Sequence, residues 1–370
     1  MAKRELKVDI GKYSPRGKNL GKNFMKGMTS YPYLIKYTED DKNELDVQLR
    51  GTSINIYYQG GSLVKLSGRQ KCEFDENYFY LPGKEDLPMS DIEKLCAQDY
   101  INEAKKSKIL KKKTEAELKQ LREKAIHIKG KIEGRRDELV NRLKSCDNLE
   151  SVGMVVEEMK KAMRCWKKAL VDSKRRKEAT GERAVQHYIS LYNKKFDDWT
   201  DFVVLDIEYA ISTNARYAKE TEREKQPRID ILAVEKDSGQ VYVIELKYGM
   251  KSVNGDASVE KHYKDYLATV GSDDTVDGIS KWQSFIGDVK TLLEAKKKLV
   301  DQDIQIKESK PIFAFIVKPE KDTDERLFRK RIENSKELKG LHIPTIYLPA
   351  EKDYGNPSVL GHKLSKRYMK

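Results

Sequence analysis

At 370 residues, 36% of them charged and with a net charge of +13, the chain is long enough for two or three domains. No stretch approaches the ~20 apolar residues of a membrane span, and the charged start Met1–Lys7 lacks the apolar core of a secretory leader, so a cytoplasmic protein is expected. The basic balance favours a polyanionic partner, with nucleic acid first among the candidates.

Residues 1–30 are rich in Gly and Lys and poor in periodicity. They read as a basic flexible arm, either a disordered terminus or a lead-in that orders on binding. Residues 31–88 read as a small antiparallel β domain with one wet face. Apolar positions alternate in 44–50, 53–58 and 62–66, Gly51 and Gly60–Gly61 supply turns, and Tyr78–Leu81 offers a further strand. Tyr57, Tyr58, Tyr78 and Tyr80 could stack on bases, but strand aromatics more often pack.

Residues 89–177 contain no proline and read as helical throughout, with Ser90 as the first N-cap. Leu118, Leu121, Ala125, Ile128, Ile132, Leu139 and Leu143 form one stripe at three- and four-residue steps. After a turn near Cys146, Val152, Val155, Met159, Met163, Trp166 and Leu170 form a second. The pair predicts a helical hairpin or coiled coil, and through it a possible homodimer. Two basic runs, Lys105–Lys113 and Lys174-Arg175-Arg176-Lys177, are either solvated helix faces or phosphate-tracking surfaces; the second abuts the next domain and is the better candidate. The cysteines Cys72, Cys96, Cys146 and Cys165 are far apart and form no CxxC pair, so they read as reduced thiols with no zinc or iron–sulfur site.

Residues 178–370 carry the chemistry. A helix over 181–192 leads to a strand over 202–211, in which Asp206 and Glu208 share one face; a wet face explains both, though one could approach the site. The polar segment 212–226 is long for a plain connection and could face substrate. Two β-branched runs, 227–234 and 241–247, flank the short polar turn 235–240 and predict a β-hairpin. Strand alternation puts Glu245 and Lys247 on one side with Leu246 opposite, and antiparallel pairing brings Asp230 beside them. Two grouped carboxylates suit a hard divalent ion such as Mg²⁺ or Mn²⁺. Such an ion offsets charge on a phosphodiester and acidifies a bound water, while Lys247 positions that water or stabilises developing charge. Further on, helices over 259–267, 278–299 and 324–338 bracket a continuously apolar strand over 311–317 and a last strand over 344–348.

The pattern Pro227-x-x-Asp230 followed by Glu245-Leu246-Lys247 resembles the PD-(D/E)xK nuclease superfamily, as does the element order over residues 178–350. The resemblance implies a restriction-endonuclease-like α/β core, a mixed sheet flanked by helices. It implies Asp230 and Glu245 as metal ligands, the Leu246 carbonyl as a further ligand and Lys247 as the catalytic lysine. An acidic residue on the first helix would add a contact: Glu182, or Glu178 one turn earlier. His262-Tyr263-x-x-Tyr266 is similar to the Gln-hydrophobic-x-x-Tyr element of RecB-like members, with His in place of Gln; it would set His262 and Tyr266 near the substrate phosphate. Arg228 is expected to face nucleic acid at the same strand end, whereas His187 reads as packing or polar surface. The expected activity is metal-dependent hydrolysis of DNA leaving 5′-phosphate ends, in a layout that fits a prokaryotic defence or restriction-type effector. The alternatives are a ribonuclease and a non-catalytic nucleic-acid-binding scaffold on a nuclease-like fold.

Overall fold

A computed structural model describes residues 30–50, 53–67, 72–74, 89–172, 177–195, 200–211, 228–249, 258–276, 278–296, 304–319, 323–348 and 363–369. The basic arm, Tyr78–Leu81, Lys174–Arg176 and the polar segment 212–226 lie outside these residues. Among the described residues no helix is long and apolar enough to cross a membrane.

After a short helix α1 (Pro32–Tyr37), strands β1 (Leu45–Arg50), β2 (Ser53–Tyr58), β3 (Gly61–Ser67) and β4 (Cys72–Glu73) pair antiparallel in that order. Gln59 and Gly60 turn β2 into β3 with φ of 47° and 79°, the left-handed pair that a two-residue hairpin needs. Gly60 is required for a second reason. A Cβ there would lie 2.6 Å from the Arg183 backbone, so the turn presses on the helix of the second half. The expected wet face is kept at one edge only, where Lys65 and Glu73 are exposed. Leu45 and Leu49 pack into the main apolar core, and Asp46 and Gln48, which alternate with them, are buried too. At β1 the polar face is covered because it docks on the second sheet.

Helices α2 (Met89–Cys96), α3 (Tyr100–Lys105), α4 (Glu115–Lys144) and α5 (Leu149–Asp172) follow. Besides the expected turn near Cys146, the helical stretch is interrupted twice, over 97–99 and 106–114. Ser90 lies inside α2 rather than capping it; Asp99 caps α3, and Thr114 with Glu117 forms a reciprocal capping box at α4. The run Lys105–Lys113 spans the end of α3, a turn and a 3₁₀ segment, so it makes no single helix face. The second half of the α4 stripe meets α5 as a hairpin: Ile132, Leu139 and Leu143 share a core with Val152, Val155, Met159 and Met163, and Glu158 bridges Arg135 and Arg142 across the pair at 2.5 and 2.7 Å. Leu118 and Ala125 pack instead with Ile92 and Leu95 of α2. Of the cysteines, Cys72, Cys96 and Cys146 are free thiols.

The second half runs α6 (Lys177–Tyr192), β5 (Phe202–Ala210), β6 (Arg228–Glu235), β7 (Val241–Tyr248), α7 (Val259–Ala268), a small ribbon β8 (Thr275–Val276) and β9 (Ile279–Ser280), α8 (Lys281–Lys296), β10 (Ile312–Lys318), α9 (Asp324–Asn334) and β11 (Thr345–Tyr347). The sheet order is β11-β10-β7-β6-β5; β5, β6 and β7 are antiparallel, while β10 is parallel to both β7 and β11. This is the expected mixed sheet flanked by helices. Residues of β7 are buried along its whole length, as the apolar pattern of a doubly covered strand requires. Val185 and Ile189 of α6 pack with Ile244 and Leu246 on one face. Val243, Phe313 and Phe315 pack with Tyr266, Phe285 and Val289 on the other.

Strand β5 departs from the sequence reading. The register slips between Val204 and Asp206, and Glu208 adopts a left-handed φ of 52°. Asp206 and Glu208 consequently do not share a wet face. Asp206 is fully buried with Arg50 Nη1 at 2.6 Å from its Oδ1, whereas Glu208 reaches the end of the sheet described next.

Candidate active site

The β6–β7 ladder ends at Ile231–Ile244, one pair short of Asp230 and Glu245. Beyond it a side chain replaces the backbone partner: Leu246 N–H donates to Asp230 Oδ2 at 2.9 Å. In an antiparallel strand the N–H and C=O of one residue leave by the same edge, so the Leu246 carbonyl also points to the side of Asp230. Glu245 and Lys247 lie on one face as alternation predicts, and Lys247 Nζ donates to Glu245 Oε1 at 2.9 Å with both side chains buried. A hydrogen bond also joins Asp230 and Glu245. The hairpin thus brings Asp230, Glu245, Leu246 and Lys247 together as expected.

Asp230 and Glu245 of this group line a cavity of about 570 Å³; Lys247 lies behind them, joined to Glu245. Glu208, Arg228, Asp230, Glu245, Lys261, His262 and Asp265 supply its charged and polar lining, and Tyr266 and Phe313 part of its apolar wall. Burial is the main electrostatic force here. It pushes the Asp230 carboxyl up to about 6 against the pull of Lys247, and raises Glu245 well above the usual range, with Asp230 adding to the rise. Glu182 is pushed up to about 7 by burial first, then by Asp230. His262 Nε2 lies 3.1 Å from Glu245 Oε1, but burial and the nearby Lys247 and Lys261 hold the ring down to about 3. The contact is therefore a hydrogen bond with a neutral imidazole and not an ion pair.

Not every predicted residue joins the group. Glu182 feels the charges of Asp230, Lys247 and Glu208, yet α6 packs on the sheet face opposite Glu245 and Lys247, and Glu182 does not line the cavity. Among the described residues no three His, Cys, Asp or Glu side chains converge as a metal-holding group, so the donor set is two carboxylates and a carbonyl. Glu178 and Lys177 lie on α6, but their side chains fall outside the described residues, as do Lys174, Arg175 and Arg176 altogether. Tyr266 lines the cavity with its ring, but its hydroxyl donates to the Pro311 carbonyl at 2.6 Å; it braces α7 on β10 and is not held out for phosphate. Arg228 is exposed at the cavity mouth and pairs with Glu208 at 3.1 Å. His187 is buried packing, its Nε2 3.2 Å from the Glu44 carbonyl.

Of the two acids on β5, one of which could approach the site, Glu208 does so: it lies across from Asp230, because Ile207 pairs with Ile231 and Tyr209 with Ile229. The sequence reading missed Lys261. Lys261 had no distinguishing signal among 73 Lys and Arg. No protein-family model matches the chain, no curated protein matches it, and no solved structure matches it.

Proposed function

We propose that the protein is a Mg²⁺- or Mn²⁺-dependent nuclease that hydrolyses DNA phosphodiesters at Asp230, Glu245 and Lys247. The observation that carries the reading is the excess of buried carboxyl groups over ammonium groups at the end of a splayed hairpin, beside a cavity that Asp230 and Glu245 line. The donor set fits a hard divalent ion: Asp230, Glu245 and the Leu246 carbonyl are all oxygen donors, and the two carboxyls hold a surplus of negative charge once deprotonated. Such an ion, when bound, offsets charge on the scissile phosphate and acidifies a water. The remaining work falls to the chain. Lys247 is held beside Glu245 on a doubly covered strand, where a fixed ammonium orients the attacking water or stabilises the phosphate oxygens without reorganising. Neutral His262 fixes the second oxygen-bearing arm of the site through Glu245 Oε1. Asp230 keeps its orientation through the Leu246 N–H.

A second reading, a nucleic-acid-binding scaffold without catalysis, is favoured by one observation, the lack of a third converging metal-ligating side chain among the described residues. One experiment separates the two. Wild type, Lys247→Ala and Asp230→Ala are assayed on linear, circular and single-stranded DNA and on RNA with Mg²⁺, Mn²⁺ or EDTA. The expected outcome is metal-dependent DNA cleavage that falls by about 10²–10³-fold or more in each variant. Cleavage retained in both variants overturns the assignment. Metal-independent binding with no cleavage by wild type supports the scaffold, and cleavage of RNA alone makes the enzyme a ribonuclease.

A further inference from the structure

A second cavity, of about 540 Å³, lies between the start of α7 and the end of α9. Its charged lining is Lys261, Lys264, Arg331 and Lys336 against Glu260 and Glu337, and no apolar residue lines it. The ligand it suits is therefore polar and anionic. Lys261 also lines the carboxylate cavity, so the two hollows share a wall. Arg331 pairs with Glu260 at 2.8 Å, which ties α9 to α7, and Lys264 pairs with Glu337 at 2.5 Å. Both pairs are partly exposed, so each is weak and exchangeable for a stronger anion. Among the described residues Lys261 and Lys336 are exposed and make no ion pair.

We propose that this groove seats the phosphodiester backbone flanking the scissile phosphate. The inference rests on the nuclease reading and adds to it where the substrate strand runs: out of the carboxylate cavity, past Lys261, along α7 and α9. Charge complementarity favours a repeating phosphate over a single small anion. Four cations, Lys261 and Lys264 on α7, Arg331 on α9 and Lys336 just beyond its end, match a chain of charges, and phosphate contacts position a strand without reading its bases.

The test is fluorescence anisotropy of a labelled duplex and of its single strand, titrated with the full chain carrying Asp230→Ala so that nothing is cut. Adding Lys261→Ala with Lys336→Ala should weaken binding about tenfold and make the salt dependence shallower by about two released ions. The control pair Lys290→Ala with Lys310→Ala removes two cations that line neither cavity and should leave affinity unchanged. Unchanged binding in the groove pair overturns the proposal, as does an equal loss in the control, which would be an effect of net charge alone. Competition by polyglutamate as strong as by unlabelled DNA also overturns it, because the groove then takes any acidic chain. The two readings fail separately. Cleavage by wild type with a groove pair that binds normally leaves the nuclease and removes the groove. Binding lost in the groove pair without cleavage by wild type leaves the groove and removes the nuclease.

Discussion

Two places in the molecule bury charge, and they do it in opposite ways. Between the two sheets, Arg50 donates to Asp206 Oδ1 at 2.6 Å and to the Ile207 carbonyl at 2.9 Å, while Ile207 N–H donates to the same Asp206 oxygen at 2.8 Å. Lys296 donates to Gln48 Oε1 and to the Leu205 carbonyl, and Gln48 Nε2 reaches Asp46 and Ser190. Each charged side chain there has a hydrogen-bond partner: Asp206 and Lys296 meet a cation or backbone groups, and Asp46 the Gln48 amide. At the end of the β6–β7 hairpin, Asp230 and Glu245 lie beside Lys247, Glu182 feels their charges, and all three carboxyls are pushed up. A matched buried network holds two sheets in one orientation; an unmatched one stores affinity for an ion the chain does not itself supply.

The largest effect that separates the two is on stability. Arg50→Met leaves Asp206 buried without its cation and should cost about 3–5 kcal/mol, seen as a lower midpoint in urea unfolding. Lys247→Met removes the ammonium beside Glu245, but Glu245 is already biased toward its neutral form and takes up a proton instead, so the loss should be less than half as large. Equal losses would erase the distinction. A smaller effect is the pH dependence of the metal-free protein. Asp230 and Glu182 bind a proton more tightly folded than unfolded, with folded values of about 6 and about 7. Their contribution is present below the ordinary carboxyl range and is lost as pH rises toward 7, on the order of 2 kcal/mol each. Urea unfolding in EDTA at several pH values should show that decline. Glu182→Gln should flatten its upper part, and Mg²⁺ should reverse the slope if deprotonated carboxylates bind it.

The hairpin was legible in the sequence because everything it needs is local: period-two alternation, a six-residue polar turn and antiparallel pairing place Asp230, Glu245 and Lys247 without knowledge of the rest. The mixed sheet was legible for a similar reason, since β7 and β10 are apolar on both faces. What could not be read depends on partners far away. Asp46 and Gln48 alternate with Leu45, Val47 and Leu49 as a solvated face would, but Gln48 finds Ser190 at a separation of 142 residues and Lys296 at 248. The slip in β5, which turns Asp206 inward to Arg50 and brings Glu208 to the cavity, follows from the same docking and leaves no local mark. Glu182 is placed only by the tertiary fold: its helix packs on the sheet face away from Glu245 and Lys247, yet its carboxyl feels the charges of Asp230 and Lys247. The breaks near 97–99 and 106–114 were hidden by good helix formers, though the Thr114–Glu117 capping box was visible as Thr-x-x-Glu.

The smallest predicted effect bears on Tyr266, which the sequence pattern assigned to the phosphate and the structure assigns to the frame. Its hydroxyl is buried, its pKa is pushed up to about 12 by burial, and it donates to the Pro311 carbonyl at the entrance to β10. Its ring packs against Phe313 and sits so close to the turn after α7 that a Cβ on Gly271 would lie 2.4 Å from it. Tyr266→Phe keeps the ring and deletes only the hydroxyl. The Pro311 carbonyl is left without that donor, at a cost of about 1 kcal/mol. Urea unfolding should register that loss while cleavage and its metal dependence stay within twofold of wild type. A drop of tenfold or more in cleavage at unchanged stability would return Tyr266 to the substrate, because a hydroxyl that only braces α7 has no route to the rate except through the fold.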